Sequence, residues 1–205
     1  MSQLENAVWV AHTLFERGKV AGSAANISFR NGGKVYISRS GSSFGILQDS
    51  DFSVMDLNGA LLEGKPASKE YPLHLMLYRA LPEMSAVLHT HSMYATLWSC
   101  FPQEEPGRPW PPYTPYLQMR VGNMGRIPYA KPGSAELFAK AEQSVNGCRA
   151  YLLENHGPIV AAKDIMSAFY DMEEIEESAK TAWLLRGTNA RLIDGSCAYE
   201  AAHAS

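Results

Sequence analysis

The chain predicts an α/β fold, on three observations. Amphipathic stretches with a helical period recur along it, short apolar runs bounded by turn formers lie between them, and Asn58-Gly59 between apolar flanks signals a hairpin, hence antiparallel pairing. Residues 5–17 come first, with Ala7, Val8, Ala11, Leu14 and Phe15 at helical spacing and Gly18 as the stop. After the Asn31-Gly32-Gly33 turn, residues 34–38 read as a strand, and residues 54–57 and 60–62 form the two arms of the Asn58-Gly59 hairpin. Pro72 suits the first turn of a helix reaching about Ala80. Residues 85–91 then read as a short buried strand, and Met93 to Cys100 as a helix. Residues 101–133, rich in proline and aromatic residues around Trp110, Tyr113 and Tyr116, read as a long irregular segment of the kind used for binding or subunit contact. Ser134 caps a helix to about Val145, and apolar runs follow at residues 150–153 and 158–162. Asp164 caps the longest helix, to about Arg186, with Ile165, Ala168, Met172, Ile175, Ala179 and Ala182 inward and the acidic run 173–177 as its solvated face.

Composition narrows the class. At 205 residues and 46% hydrophobic, with no linker or low-complexity break, the chain is expected to form a single domain over residues 1–205. The N-terminus lacks a basic region followed by a continuous apolar run, and no segment approaches the roughly 20 apolar residues that span a bilayer. Cys100, Cys148 and Cys197 are odd in number and show no CxxC spacing, which argues against a disulfide framework and for a reducing cytoplasm. A net charge of −3 offers no basic field for nucleic acid, so an anionic ligand must be held by local donors.

Chemistry concentrates in Val87-Leu88-His89-Thr90-His91 and in Asn155-His156-Gly157. Side chains two apart on a strand share a face, so His89 and His91 converge, and His156 sits at the end of an apolar run where the fold can bring it to them. Three imidazoles with one coordination position left open are the donor set of a catalytic Zn²⁺ site. His-x-His alone more often marks hydrogen-bonded core residues than metal ligands, and it is His156 that favours the metal site. His12, His74 and His203 read as structural or solvated. Three loops of small polar residues, at 22–26, 38–43 and 67–70, each have the donors to cradle a phosphate, although each alone could be a plain turn.

In combination, Gly22-Ser23-Ala24-Ala25-Asn26-Ile27-Ser28, Ser40-Gly41, Ser68-Lys69-Glu70, His89-Thr90-His91-Ser92 and Asn155-His156-Gly157 resemble the class II aldolase and adducin family over residues 8–187. The resemblance implies a three-layer α/β/α fold around a mixed, largely antiparallel sheet. It also implies that His89, His91 and His156 hold a divalent metal, usually Zn²⁺, with Mn²⁺ or Co²⁺ as substitutes. Glu70 would be an acid/base that also touches the metal, and Ser23, Asn26, Ser40, Gly41 and Ser68 would line a phosphate pocket. Stretches 114–123, 127–133 and 172–180 resemble the 3-oxo-tetronate 4-phosphate decarboxylase branch of the family. Ala25 stands where many relatives have Gly, and Lys69 stands where the typical aldolase has a second serine. Lys69 either meets a substrate carboxylate or points to solvent.

These expectations describe a metal-dependent carboxy-lyase that converts a 3-oxo-tetronate 4-phosphate to dihydroxyacetone phosphate and CO₂ through a metal-stabilised enediolate. The alternatives are a sugar-phosphate aldolase of the fuculose-phosphate type, an epimerase, or a non-enzymatic adducin-like module. The expected partners are a small phosphorylated sugar acid and further copies of the chain in a homotetramer, with neither nucleic acid nor membrane.

Overall fold

Ser2 starts the first helix, α1 (Gln3–Glu16), through a reciprocal cap: its hydroxyl accepts from the Glu5 N–H, and the Glu5 carboxylate accepts from the Ser2 N–H. This cap places the helix start two residues ahead of the apolar periodicity. The computed structural model describes residues 2–193; Cys197 and His203 lie outside the described residues.

The first strand, β1 (Ala25–Asn31), begins inside a stretch whose small polar residues read as a loop. Its alternation is Ala25, Ile27 and Phe29 on one face and Asn26 and Ser28 on the other, and all five are buried. A two-residue turn through Gly32 and Gly33, both at positive φ, leads into β2 (Lys34–Ser38). The Asn58-Gly59 hairpin forms as expected between β3 (Phe52–Met55) and β4 (Leu61–Glu63), the Asp56 carboxylate accepting from the N–H groups of Asn58 and Ala60. Next come α2 (Tyr71–Ala80), β5 (Ala86–Thr90) and α3 (Met93–Ser99). Residues 101–133 are less irregular than expected, for they contain α4 (Tyr116–Arg120) and β6 (Met124–Ile127). The chain then forms α5 (Ala135–Ser144), β7 (Ala150–Leu153), β8 (Gly157–Ala162) and α6 (Ile165–Leu185), with Ser134 and Asp164 capping α5 and α6 as their sequences predict.

Among the described residues, eight strands form one sheet in the order β4-β3-β2-β1-β5-β8-β7-β6, in which only β6 and β7 run parallel. Its two faces carry separate cores. Ile27, Leu88, Leu152 and Val160 meet α1, α3 and α6 on one side; Val35, Val87, Tyr151 and Ile159 meet α2 and α5 on the other. This is the expected three-layer α/β/α arrangement, with the mixed character supplied by β6. Among the described residues no helix is long and apolar enough to cross a membrane, and Cys100 and Cys148 are free thiols.

Two readings of the sequence need correction. Trp110 is not a surface anchor: it is buried, its indole N–H donates to the Ser178 hydroxyl, and the partly buried Tyr113 packs against the same core, which leaves Tyr116 as the exposed aromatic of the three. The acidic run is not uniformly solvated either. Glu173 and Glu177 pair with Arg17 and Lys19 at the surface, but Glu176 is buried and accepts from the Tyr94 and Ala95 N–H groups at 3.0 and 2.9 Å. It thereby satisfies the otherwise unpaired start of α3, directly after His91 and Ser92. Glu176→Gln should lower the unfolding free energy by about 1.5–3 kcal/mol, the worth of a charge-assisted hydrogen bond. Glu173→Gln, at an exposed pair, should cost under about 1 kcal/mol. Urea unfolding of both variants measures the difference.

Candidate active site

Two strands end together at the centre of the sheet. His89 lies on β5 opposite Asn26 of β1 and Ile159 of β8, and His91 follows one residue beyond the strand on the same face. His156 comes from the turn between β7 and β8, where Asn155 adopts φ +52° and Gly157 φ +155°. A Cβ on Gly157 would lie 2.4 Å from the Thr90 carbonyl oxygen, so only glycine lets β8 start this close to the end of β5. The turn is tied to α3 by the His156 N–H donating to Ser99 Oγ and by the Thr96 hydroxyl donating to the His156 carbonyl. The three imidazole centroids are consequently 4.6 to 5.1 Å apart.

Glu70 completes the cluster from the N-cap position of α2. Its carboxylate does not cap its own helix. Instead Oε2 lies 3.4 Å from His89 Nε2 and Oε1 3.4 Å from His156 Nε2, while Asn26 Nδ2 donates to Oε2 at 3.2 Å. One donor atom from each of Glu70, His89, His91 and His156 lies within 4.8 Å of the others. Burial pushes His89 down to about 3 and lowers His156 in the same direction, so both rings are neutral near pH 7. His89 Nδ1–H donates to the Pro158 carbonyl at 2.9 Å, which leaves the Nε2 lone pair facing the cluster.

The small polar loops open onto the same place. Ser40 N–H donates to the Pro66 carbonyl and Ser68 N–H to the Ser38 carbonyl, which joins the second and third loops side by side. A cleft of about 220 Å³ results, and Ser23, Asn26, Ser40, Gly41, Ser68 and Lys69 all line it, together with Glu70, His91 and His156. All ten residues named from the sequence therefore meet. Ala25, where the motif more often has Gly, is the first residue of β1 and also borders the cleft.

The sequence reading missed three contributors. Arg39 lines the cleft and is held by Asp51, whose carboxyl lies below the ordinary carboxylate range because of that hydrogen bond. Gly133, from the far end of the segment expected to be irregular, would bring a Cβ to 3.4 Å from Lys69 Cβ, so Lys69 is bordered by a loop distant in sequence. His74 is fully buried behind Asn26 and bonded to it. Arg39 lies within the second of the small polar loops, and the four-residue spacing of Glu70 and His74 is a usable signal. Nothing local pointed to Gly133.

The model of the Class II Aldolase and Adducin N-terminal domain matches residues 5–183. The chain belongs to this family. A 3-oxo-tetronate 4-phosphate decarboxylase from Haemophilus influenzae is 38% identical over 94% of this chain and 92% of its own length. An L-fuculose phosphate aldolase from Methanococcus maripaludis is 34% identical over 89% of this chain and 97% of its own length. The crystal structure of Escherichia coli YgbL superposes with a TM-score of 0.92 at 32% identity, covering 97% of each chain.

The donors of this class II aldolase site fit a divalent cation. A tetrahedral ion with bonds of about 2.0–2.1 Å needs donor atoms about 3.3–3.4 Å apart. His89 Nε2 and His156 Nε2 stand 3.3 Å apart and each is 3.4 Å from a Glu70 oxygen. With His89 Nδ1–H committed to Pro158, His89 Nε2 is a bare acceptor, and Glu70 Oε1, though buried, has no hydrogen-bond partner among the described residues. Acceptors crowded in this way call for a positive charge between them.

Burial also makes folding depend on pH. His74 is pushed down to about 3 in the folded chain, chiefly by burial and further by His89, against an ordinary 6.5. Between these values the unfolded chain binds a proton that the folded chain refuses, so stability is full above pH 6.5 and falls as the pH drops toward 3. The slope for one such histidine approaches about 1.4 kcal/mol per pH unit. Denaturant unfolding of metal-free protein from pH 7.5 to 4.5 should show this loss, and His74→Gln should flatten it by about one proton.

Proposed function

We propose that this chain is a metal-dependent carboxy-lyase that decarboxylates a 3-oxo-tetronate 4-phosphate to dihydroxyacetone phosphate. The observation that carries the reading is the cleft itself: a Glu/His₃ donor cluster at its floor, hydroxyl, amide and backbone donors along its wall, and one lysine next to the carboxylate. The name of the 38%-identical relative supports the choice of substrate. His89, His91, His156 and Glu70 would hold the metal, Zn²⁺ by the character and spacing of the donors. When bound, such an ion stabilises negative charge on a substrate oxygen next to the breaking bond.

The residues of the chain supply the remainder. Ser23, Asn26, Ser40, Gly41 and Ser68 would take the phosphate, through hydroxyl, amide and backbone N–H donors that need no net positive field. Lys69, on the rim beside Glu70, would meet the carboxylate at C1. Breaking the C1–C2 bond releases CO₂ and leaves its electron pair on C2. Glu70, at the junction of cleft and cluster, would deliver the proton that C2 needs to become the hydroxymethyl carbon of the product. A second reading, the sugar-phosphate aldolase, is favoured by the relatives named L-fuculose phosphate aldolase and would use the same cleft to cleave between two carbons with release of an aldehyde.

The deciding experiment offers 3-oxo-tetronate 4-phosphates of both C2 configurations and follows dihydroxyacetone phosphate and CO₂. Aldehyde release from a sugar phosphate, without decarboxylation, would install the second reading. Ala at His89, His91 or His156 should strip most bound metal and activity, because a three-imidazole site loses affinity steeply with one ligand gone. Glu70→Gln should lower turnover roughly 10²–10⁴-fold, the usual contribution of a general acid.

Lys69 separates the two chemistries. It is exposed in the free chain, so Lys69→Ser should cost the acid substrate roughly 10-fold in kcat/KM, the low end for a charge-assisted contact, and spare binding of dihydroxyacetone phosphate. Equal losses for both ligands would move Lys69 to the phosphate.

The proposal includes a homotetramer, which the family resemblance implies, in the cytoplasm, which the cysteine usage favours. Exposed Ile46, Met93, Tyr116, Met119 and Leu184 supply apolar surface for subunit contact. Sedimentation should show one species of four chains, and a fully active monomer would remove this part.

A further inference from the structure

Behind Glu70 and Asn26 runs a line of buried polar side chains, Ser28, His74 and Tyr78, that the proposed chemistry leaves unused. Glu70, His74 and Tyr78 recur at intervals of four from the N-cap of α2 onward, and so lie along one face of the helix. Asn26 and Ser28 alternate on the opposing face of β1. Across this interface Asn26 Nδ2 donates to Glu70 Oε2 at 3.2 Å, and Asn26 Oδ1 lies against His74 Nε2. Ser28 Oγ is 2.7 Å from His74 Nδ1 and 2.8 Å from the Tyr78 hydroxyl. All four residues behind Glu70 are at most 5% exposed.

The donor and acceptor inventory gives this chain one direction. A carboxylate oxygen only accepts, so the amide NH₂ of Asn26 faces Glu70 and its carbonyl faces His74. His74 must then donate from Nε2. A neutral imidazole carries a single N–H, so Nδ1 accepts from the Ser28 hydroxyl, whose oxygen in turn accepts from the Tyr78 hydroxyl. Reversing any one link sets two donors or two acceptors face to face where no solvent reaches.

We propose that His74 is a positioning residue for Glu70: held as the Nε2–H tautomer by Ser28 and Tyr78, it locks the Asn26 amide in the orientation that fixes Glu70 Oε2. Glu70 Oε1, which has no hydrogen-bond partner among the described residues, is thereby kept turned to the histidine cluster. The inference rests on the reading of Glu70 as the proton donor. It adds a three-residue support that keeps this carboxylate from rotating.

The test begins with wild-type, metal-free protein labelled with nitrogen-15 in its histidines. Long-range proton–nitrogen spectra should show His74, assigned by its loss in His74→Gln, as a neutral ring with bare Nδ1 and protonated Nε2; the opposite tautomer overturns the proposal without any need for a variant to fold. In the metal-loaded enzyme, His74→Phe removes both polar atoms and should lower kcat 10- to 100-fold, the usual effect of losing a partner that orients an active-site group, with KM and metal content little changed. His74→Gln, whose side-chain amide can donate to Asn26 Oδ1, should recover most of kcat. Equal losses in the Phe and Gln variants would assign His74 to packing and overturn the proposal. Full kcat in His74→Phe, with Glu70→Gln inactive, would overturn it while leaving the role of Glu70 intact; an active Glu70→Gln would instead remove the reading beneath it.

Discussion

Gly157 presses its bare α-carbon against the Thr90 carbonyl, and this contact clamps the end of β5 to the start of β8. Each of those ends carries part of the histidine cluster, so the clamp sets the distance between residues nearly seventy positions apart in the chain. The other neighbour of β5 in the sheet is β1, which puts Asn26 opposite His89 and gives Glu70 a partner on the near side. Everything that opens into the cleft follows from this arrangement at the middle of the sheet. A substituent on Gly157 would open the gap, move His156 away and leave Glu70 Oε1 without its neighbour.

The supports of the cluster are drawn from both outer layers. From the α6 side, the buried carboxylate of Glu176 fixes the first turn of α3, just after His91, and α3 in turn holds the His156 backbone through Ser99 and Thr96. From the α2 side, the hydrogen-bonded line through His74 reaches Glu70. The histidines are pinned by one layer and the carboxylate by the other. Buried polar groups of this kind cost stability unless every one is partnered, and the partners here join elements that have no other reason to keep an exact spacing.

Much of the site was legible in the sequence because strand periodicity is strict. His89 and His91 had to share a face, and the Asn155-His156-Gly157 turn announced its own tightness. The layered fold and the convergence of the loops came from the resemblance carried by the combined motifs, not from any loop alone. What escaped was non-local. The β1 strand was hidden because Asn26 and Ser28 look like loop residues until α2 is known to offer His74 and Tyr78 as their partners. Glu176 was indistinguishable from Glu173 and Glu177 until α3 was placed against it, and Trp110 looked like a surface aromatic until Ser178 was seen to accept its N–H. β6 was obscured by the prolines before it, since its partner β7 lies beyond another helix.

The same geometry explains why the class of reaction is better determined than the substrate. Decarboxylation of a β-keto acid and cleavage of an aldol both break a bond to the carbon next to a carbonyl and leave an electron pair there, so both need a positively charged floor and a mobile proton. They differ in the group that departs: CO₂ leaves from a carboxylate that must first be bound, whereas an aldehyde leaves from a hydroxyl that must lose its proton. An aldolase therefore requires a base at the departing end, and a decarboxylase requires only an anion-binding group and an acid for the carbon that remains. On the rim beside Glu70 this cleft carries Lys69, a donor with no acceptor capacity, and the other cation on its wall, Arg39, is already engaged by Asp51. On the proposed reading, a lysine cation there would hold the substrate carboxylate but could not take a proton from a departing hydroxyl, and this asymmetry would favour decarboxylation.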